Sequence, residues 1–318
     1  MIVVTGGAGF IGSNLVHALN ARGRHDILVV DDFTDGHKFQ NLADTQIIDY
    51  LDYQDFRGVV QSSAAWLKSI EIIYHLGACS DTTEWDGRYM LDTNFSYSKA
   101  VLNGCEALQI PLVYASSAAV YGAHAHCIET PEFEQPLNVY GYSKLLFDQH
   151  VRHRAGALRI PVTGLRYFNV YGPREQHKGR MASVVYHFNQ QLKETGTVRL
   201  FGASHGVSAG EQCRDFVSVE DVVAVTLWCG TLSAGVRILN CGTGKMATFN
   251  EVAREIITWH GTGTVDYIPF PNDLLGAYQN RTCADLGALR GAGYPDECQG
   301  IESGIARYLA WLNCGHPA

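Results

Sequence analysis

The run Ile2-Val-Val-Thr5 passes without a break into Gly6-Gly7-Ala8-Gly9-Phe10-Ile11-Gly12, and an amphipathic stretch from about Ile11 to Arg22 follows at once. A β-branched strand that turns through glycines into a helix leaves few folds open. Glycines at 6, 9 and 12 let the chain turn sharply, let backbone N–H groups approach a pyrophosphate, and let helix pack closely on strand. A second apolar run, Ile27 to Val30, ends in Asp31-Asp32, about twenty residues beyond the loop, where an acidic side chain meets a ribose. The order strand, loop, helix, strand therefore points to a dinucleotide-binding unit, with Gly6, Gly9, Phe10, Ile11, Gly12, Asp31 and Asp32 at the cofactor. An acidic pair suits a ribose 2′-hydroxyl, whereas a 2′-phosphate wants nearby cations. This leans towards NAD, although Lys38 stands close enough in sequence to reach a 2′-phosphate.

The same alternation continues. Strands are expected at Ile70 to His75, Leu112 to Ser116 and Val162 to Phe168, and helices near Thr93 to Leu108 and Tyr140 to His153. Strands separated by crossover helices make a parallel sheet. The fold class is α/β: a Rossmann-like doubly wound parallel sheet with a smaller α/β substrate-binding domain. The first domain is expected over residues 1–169, with a contribution from about 214–242, where Arg237 to Asn240 returns a strand. Residues 170–318 then form mainly the substrate domain, irregular apart from helical patches at Asp221 to Trp228, Phe249 to His260 and Ile301 to Trp311, with a loop at Gly202 to Gly210. After the third strand, Leu76, Gly77, Ala78, Cys79 and Ser80 offer small residues where backbone passes close to a cofactor.

Composition excludes several classes. The chain carries 24 Lys plus Arg against 32 Asp plus Glu, a balance of −8, with no basic run, so nucleic acid is not an expected partner. The nine cysteines are scattered, without a Cys-x-x-Cys pair, which argues against a metal site and for thiols in a reducing cytoplasm. No apolar run is long enough to span a bilayer, and Met1 precedes the first strand too closely for a signal peptide. A cytoplasmic protein is expected.

Tyr140 and Lys144 stand four apart, so on a helix both lie on one face. A phenol with a pKa of about 10 is a poor base at neutral pH, and an adjacent ammonium favours its phenolate. Tyr140 then takes or returns a carbinol proton while hydride moves to or from a nicotinamide. Ser117, at the end of Leu112 to Ser117, is the candidate to hold the reacting oxygen. Ser116 is the alternative, because neighbouring strand residues face opposite ways.

The chain resembles the ADP-L-glycero-D-manno-heptose 6-epimerase family of extended short-chain dehydrogenases/reductases over essentially its whole length. The generic matches are Val4 to Asn14, Ala78-Cys79-Ser80, Pro136 to Lys144 and Arg166 to Glu175. The more specific ones are Thr82-Thr-Glu-Trp-Asp-Gly87, His177-Lys178-Gly179 with Met181-Ala182-Ser183, and Tyr267-Ile-Pro-Phe-Pro271. The resemblance implies inversion at C6 of an ADP-heptose through a 6-keto sugar, as a step towards lipopolysaccharide core precursors. It also implies Lys178 as second acid/base, NADP as cofactor and a homo-oligomer, a pentamer in that family. Carried over with it are Thr93 at the cofactor and Asn169, Val170, Lys178, His187, Phe201, Ser204, Arg214 and Tyr278 at the ADP-sugar, with Arg180, which departs from the family, counted beside them. Arg214 is the cation for the diphosphate.

Some positions depart from the family pattern. Tyr53 stands where a lysine commonly assists the 2′-phosphate, and Asp32 replaces a usual Asn, so both weaken the NADP expectation. Arg180 replaces a small residue, and the Gly202 to Cys213 loop is a few residues longer than usual. The nearest rival is a hexose 4-epimerase or a 4,6-dehydratase. A dehydratase needs an acidic pair after the strand serine, where this chain has Ala118 and Ala119. A cofactor-binding protein without catalysis is the rival from another class.

Overall fold

A computed structural model describes residues 1–62, 65–204, 206–271 and 281–314. In the first part of the chain come β1 (Ile2–Thr5), α1 (Phe10–Ala21), β2 (Ile27–Asp31), β3 (Asp49–Asp52), α2 (Tyr53–Ser62), β4 (Ile72–His75), α3 (Gly87–Met90), α4 (Tyr97–Leu108), β5 (Leu112–Ser117), α5 (Val139–Arg154) and β6 (Val162–Tyr167). There follow β7 (Asn169–Tyr171), α6 (Val184–Thr195), β8 (Thr197–Phe201), β9 (Cys213–Arg214), β10 (Phe216–Ser218), α7 (Val219–Cys229), β11 (Val236–Cys241), β12 (Ala247–Thr248), α8 (Phe249–His260), β13 (Thr264–Ile268), α9 (Gly287–Gly291) and α10 (Ile301–Asn313).

Seven strands form one sheet in the order β11-β6-β5-β4-β1-β2-β3, and the β1, β2, β3, β4, β5 and β6 pairings are parallel. Sheets of this kind are covered on both faces, so their inner strands read as unbroken apolar runs. β1, β2, β4 and β6 are buried along their whole length. β3 differs: Asp49-Tyr-Leu-Asp52 is half exposed at the sheet edge, and a polar edge resists pairing with another chain. Strand order reverses beside β1, the switch point where such sheets bind ligands at the carboxyl ends of their strands. This is the Rossmann-like doubly wound fold.

Two compact units emerge. The first comprises Met1–Val120, Pro136–Tyr167 and Val223–Leu239; the second comprises Tyr121–Gln135, Phe168–Val222 and Asn240–Ala318. The strand expected to return at Arg237 to Asn240 is β11, and Val162 N–H donates to Gly235 O where it joins β6 (3.1 Å). The core of the first unit joins Val3, Leu28, Phe56, Leu67, Val101 and Tyr114, among others.

The second unit is more regular than expected from its sequence. α6 and the parallel pair β8–β13 were not foreseen there, yet they pack with α8 and α10 around Val185, Phe188, Val198, Phe216, Ile256 and Tyr308. α8 begins on a reciprocal cap in which Thr248 and Glu251 bond each other's backbone N–H, a device worth about 1 kcal/mol. The expected helix from Thr93 is also not a plain one: Leu91–Ser96 is π-helical before α4 begins. Among the described residues no helix is long and apolar enough to cross a membrane.

Candidate active site

At the carboxyl end of β1 the glycine loop is closed by its own backbone. Gly6 N–H donates to Val30 O (2.7 Å), and Gly9 N–H donates to Gly6 O (3.0 Å). A Cβ on Gly12 would stand 2.0 Å from Gly6 O, and one on Gly6, whose φ is +67°, would stand 2.7 Å from the Gly77 nitrogen. No L side chain fits either place, so the loop lies flat against the Leu76–Gly77 backbone. α1 starts without a side-chain cap or an acid in its first turn, which leaves the positive end of its dipole for an anion. These residues fit a dinucleotide pyrophosphate. Asn41, missed from the sequence, steadies the loop by donating to Ala8 O (2.8 Å).

The acidic pair divides its work. Asp31 is buried and accepts from Ala8 N–H (2.8 Å), Asp32 N–H (2.7 Å) and Lys38 Nζ (3.0 Å). Lys38 also donates to Asp32 O (2.7 Å). The lysine considered for a 2′-phosphate is thus neutralised by the carboxylate expected at the ribose. Asp32 accepts from the N–H (2.7 Å) and hydroxyl of Thr34, and that hydroxyl, with Lys38 nearby, holds its carboxyl below the usual range.

Beyond β4 the backbone of Leu76, Gly77, Ala78 and Cys79 is half-buried and Ser80 is exposed. Asn94 holds this strip: Oδ1 accepts from Cys79 N–H (2.8 Å), and Nδ2 donates to Cys79 O (2.9 Å) and Ser143 Oγ (3.0 Å). The π-helical turn that also carries Thr93 presents it, and such turns cluster at functional sites. A second support runs through His75. Ser98 Oγ donates to Asn94 O, so it accepts from His75 Nε2 (2.9 Å); His75 Nδ1 accepts from Thr5 Oγ1 (2.7 Å), which accepts from Gly77 N–H (3.1 Å). The network assigns the ring proton to Nε2. Burial pulls the imidazole down to about 3, with Lys144 adding to the effect, so His75 is neutral throughout the physiological range.

α5 starts at Asn138, whose side chain accepts from Gly141 N–H (2.8 Å), and Ser143 Oγ donates to Tyr140 O (2.7 Å). Tyr140 and Lys144 follow one turn apart on the same face. Burial raises the Tyr140 phenol, and a hydrogen bond with Ser117 lowers it again in part. Lys144 is buried and donates to Ala115 O (3.0 Å). Burial brings its ammonium down to about 8, against the opposing pull of Asp148 and Cys79.

Ser116 turns the other way. Its hydroxyl donates to Asp148 (2.9 Å), which also accepts from Tyr114 OH (2.9 Å) and Arg166 Nε (3.0 Å), all of them buried. Ser117 is therefore the serine beside the phenol. The sequence signal for Asp148, acidic at helical spacing from Tyr140 and Lys144, was there to be read but looks like any surface acid.

The remaining expected residues belong to the second unit. Lys178 is half-buried and Arg180 exposed on a short turn, Gln176–Met181, broken at Gly179 (φ 52°, ψ −124°). Burial lowers the Lys178 ammonium, and Glu175 partly offsets that. His187, on α6, approaches Arg180 O through Nε2 (3.3 Å). Arg214 is buried, donates to Cys213 O (2.9 Å) and lies over the Phe249 ring (5.7 Å).

Asn169 Oδ1 meets Thr282 Oγ1 at 3.5 Å, and Val170 follows it on β7. Phe201 ends β8, edge-on to Phe270 (5.3 Å). Ser204 pairs with Val207 and accepts from Gln212 Nε2 (3.3 Å). Tyr278 lies outside the described residues.

Comparison with known proteins adds an independent line. The model of the NAD dependent epimerase/dehydratase family matches residues 2–242. An ADP-L-glycero-D-manno-heptose-6-epimerase of Alkalilimnicola ehrlichii is 56% identical over 309 residues, covering 97% of this chain and 96% of the relative. The crystal structure of the Helicobacter pylori ADP-L-glycero-D-manno-heptose-6-epimerase superposes with a TM-score of 0.83 at 30% identity, over 98% of this chain and 95% of the other. The Thermus thermophilus UDP-glucose 4-epimerase, solved with NAD, gives 0.79 at 26% identity, over 97% of each chain. The cradle, the Tyr140–Lys144 helix and these likenesses agree: the chain belongs to the NAD-dependent epimerase/dehydratase family and, within it, to the ADP-L-glycero-D-manno-heptose-6-epimerases.

Proposed function

We propose that the protein inverts C6 of the heptose in ADP-D-glycero-D-manno-heptose, giving the L-glycero epimer, by transient oxidation at that carbon. The observation that carries this reading is Tyr140 and Lys144 on one face of α5, with Ser117 bonded to the phenol, in a chain 56% identical to an enzyme of that name. A nicotinamide dinucleotide bound in the cradle would supply the hydride acceptor and donor that this route needs.

The chain's own residues manage the proton and the charge. Ser117 orients the C6 oxygen, and Tyr140 takes its proton as the carbon is oxidised. Lys144 favours the phenolate by its charge. Inversion presents the oxygen of the 6-keto sugar twice, and Lys178 serves the second presentation. Arg214 meets the diphosphate, and Asn169, Val170, Arg180, His187, Phe201 and Ser204 line the remainder of the nucleotide-sugar site. Running the reaction in D₂O tests the redox route. Product without deuterium at C6 supports internal hydride return; deuterium at C6 contradicts it.

NAD is the favoured cofactor, held by Gly6, Gly9, Phe10, Ile11, Gly12, Asp31, Asp32, Leu76 to Ser80 and Thr93. Lys38 is paired with Asp31, Tyr53 brings no charge, and a 2′-phosphate placed beside Asp31 and Asp32 would be repelled. Mass spectrometry of the dinucleotide released on denaturation decides this: NAD is expected, and NADP alone would overturn the preference. No disulfide joins any of the nine cysteines, which supports a cytoplasmic setting. A homo-oligomer, pentameric by family resemblance, is the expected assembly; light scattering that finds a monomer would contradict it.

A further inference from the structure

Glu175 is an unusual occupant of its site. It is fully buried, and a carboxylate taken out of water costs several kcal/mol unless it is paired and hydrogen-bonded. Its two oxygens are occupied from both ends of one loop. Oε1 accepts from Gly172 N–H (3.3 Å) and Ser183 Oγ (2.7 Å), Oε2 accepts from Ser183 N–H (2.5 Å), and its own carbonyl accepts from Lys178 N–H (3.0 Å).

The loop so closed is not one the chain adopts easily. Gly172 has φ +146°, Gly179 +52°, and Arg174, which is not a glycine, +72°. Glycine takes such angles readily, but a residue with a Cβ such as Arg174 keeps a positive φ only where the surroundings over-determine it. Three hydrogen bonds to one buried side chain do so here, and the loop they close carries Lys178.

We infer that Glu175 is the positioning residue for Lys178: its carboxylate clasps the loop from Gly172 to Ser183 in the form that presents the ammonium. The inference rests on the reading of Lys178 as second acid/base. Donors converge on both of its oxygens, and a glutamine would turn an amide N–H toward one of them, so the clasp itself calls for a carboxylate, whose charge also favours the protonated Lys178.

The groups that bear on the pair come from three elements. Lys178 shares the loop with Glu175, Ser183 caps α6, and Tyr308 reaches in from α10. Burial raises the Glu175 carboxyl against its bonds with Ser183 and Gly172 and the pull of Lys178. Burial, and then Glu175, push the Tyr308 phenol far above its usual range, so Tyr308 stays neutral and Glu175 is the acid of this cluster.

The test reads Lys178 itself. Acetic anhydride labelling of the full-length protein across pH, with peptide mass spectrometry, gives the titration of Lys178 independently of turnover. In Glu175→Gln it is expected to fall by about one pH unit, since an opposite charge at close range shifts a group by one unit or more. The alkaline limb of kcat should move with it while KM changes little. Glu175→Asp, which keeps the charge one methylene further back, should give a smaller shift in the same direction and serves if the glutamine variant does not fold.

A folded Glu175→Gln or Glu175→Asp with Lys178 titrating as in the parent overturns the inference. Lys178→Met separates the two ideas. If it epimerises at the parent rate, the acid/base reading of Lys178 falls and takes the role of Glu175 in the reaction with it. An inactive Lys178→Met alongside an unmoved titration removes the Glu175 inference alone.

Discussion

Lys144 shows how much one buried cation decides. It assists Tyr140 only while protonated, and burial has brought it down to about 8, so the help is present below that value and is lost as pH rises through it. The profile of kcat/KM, which reports the free enzyme, should fall on its alkaline side with a midpoint near 8, and Lys144→Arg should move that limb to higher pH. A flat profile through pH 9 would contradict the assignment. Tyr140→Phe removes the acid/base group outright, and a loss of roughly a thousandfold in kcat is expected from steady-state rates. Tyr140, Lys144 and Ser117 were legible because residue type and spacing alone specify their chemistry. Asn94, His75 and Glu175 were not, since their contribution comes through hydrogen bonds across long stretches of chain, such as the 70 residues separating Thr5 from His75. Lys38 was legible as a cation but not as a partner of Asp31.

Among elements, the β1–loop–α1 unit was the easiest to read because its glycines have no alternative. Adding a methyl group at Gly12 would drive it into the Gly6 carbonyl at 2.0 Å, so Gly12→Ala must open the cradle. The purified variant is expected to carry less than about a tenth of the dinucleotide that the parent retains, a loss of at least 1.4 kcal/mol in binding, measured after denaturation. Full retention would mean that the dinucleotide sits elsewhere. Strands whose apolar runs are buried on both faces, such as β2 and β4, announced themselves. β3 did not: Asp49-Tyr-Leu-Asp52 is a polar edge with no apolar run to detect. The π-helical Leu91–Ser96 was invisible because one widened turn leaves the helical pattern on either side intact.

At the scale of the whole molecule, the sequence conveyed an α/β chain with a dinucleotide-binding first part, but not how often the chain passes between units. Residues 121–135 group with the second unit, and 223–239 rejoin the first. The return at β11 was expected from the sequence, whereas the passage at 121–135 leaves no trace in local periodicity. The regularity of the second unit was hidden for another reason: β8 and β13 pair across more than sixty residues, and each breaks its apolar run with an exposed charged residue.

The central claim, that this chain inverts C6 of an ADP-heptose using a cofactor it retains, is tested most directly by incubating the purified protein with ADP-D-glycero-β-D-manno-heptose, adding no cofactor, and following the C6 configuration by NMR. The account predicts that the L-glycero epimer appears, and that Tyr140→Phe and Lys178→Met abolish it. No conversion even with NAD or NADP supplied would contradict the assignment and direct attention to hexose substrates.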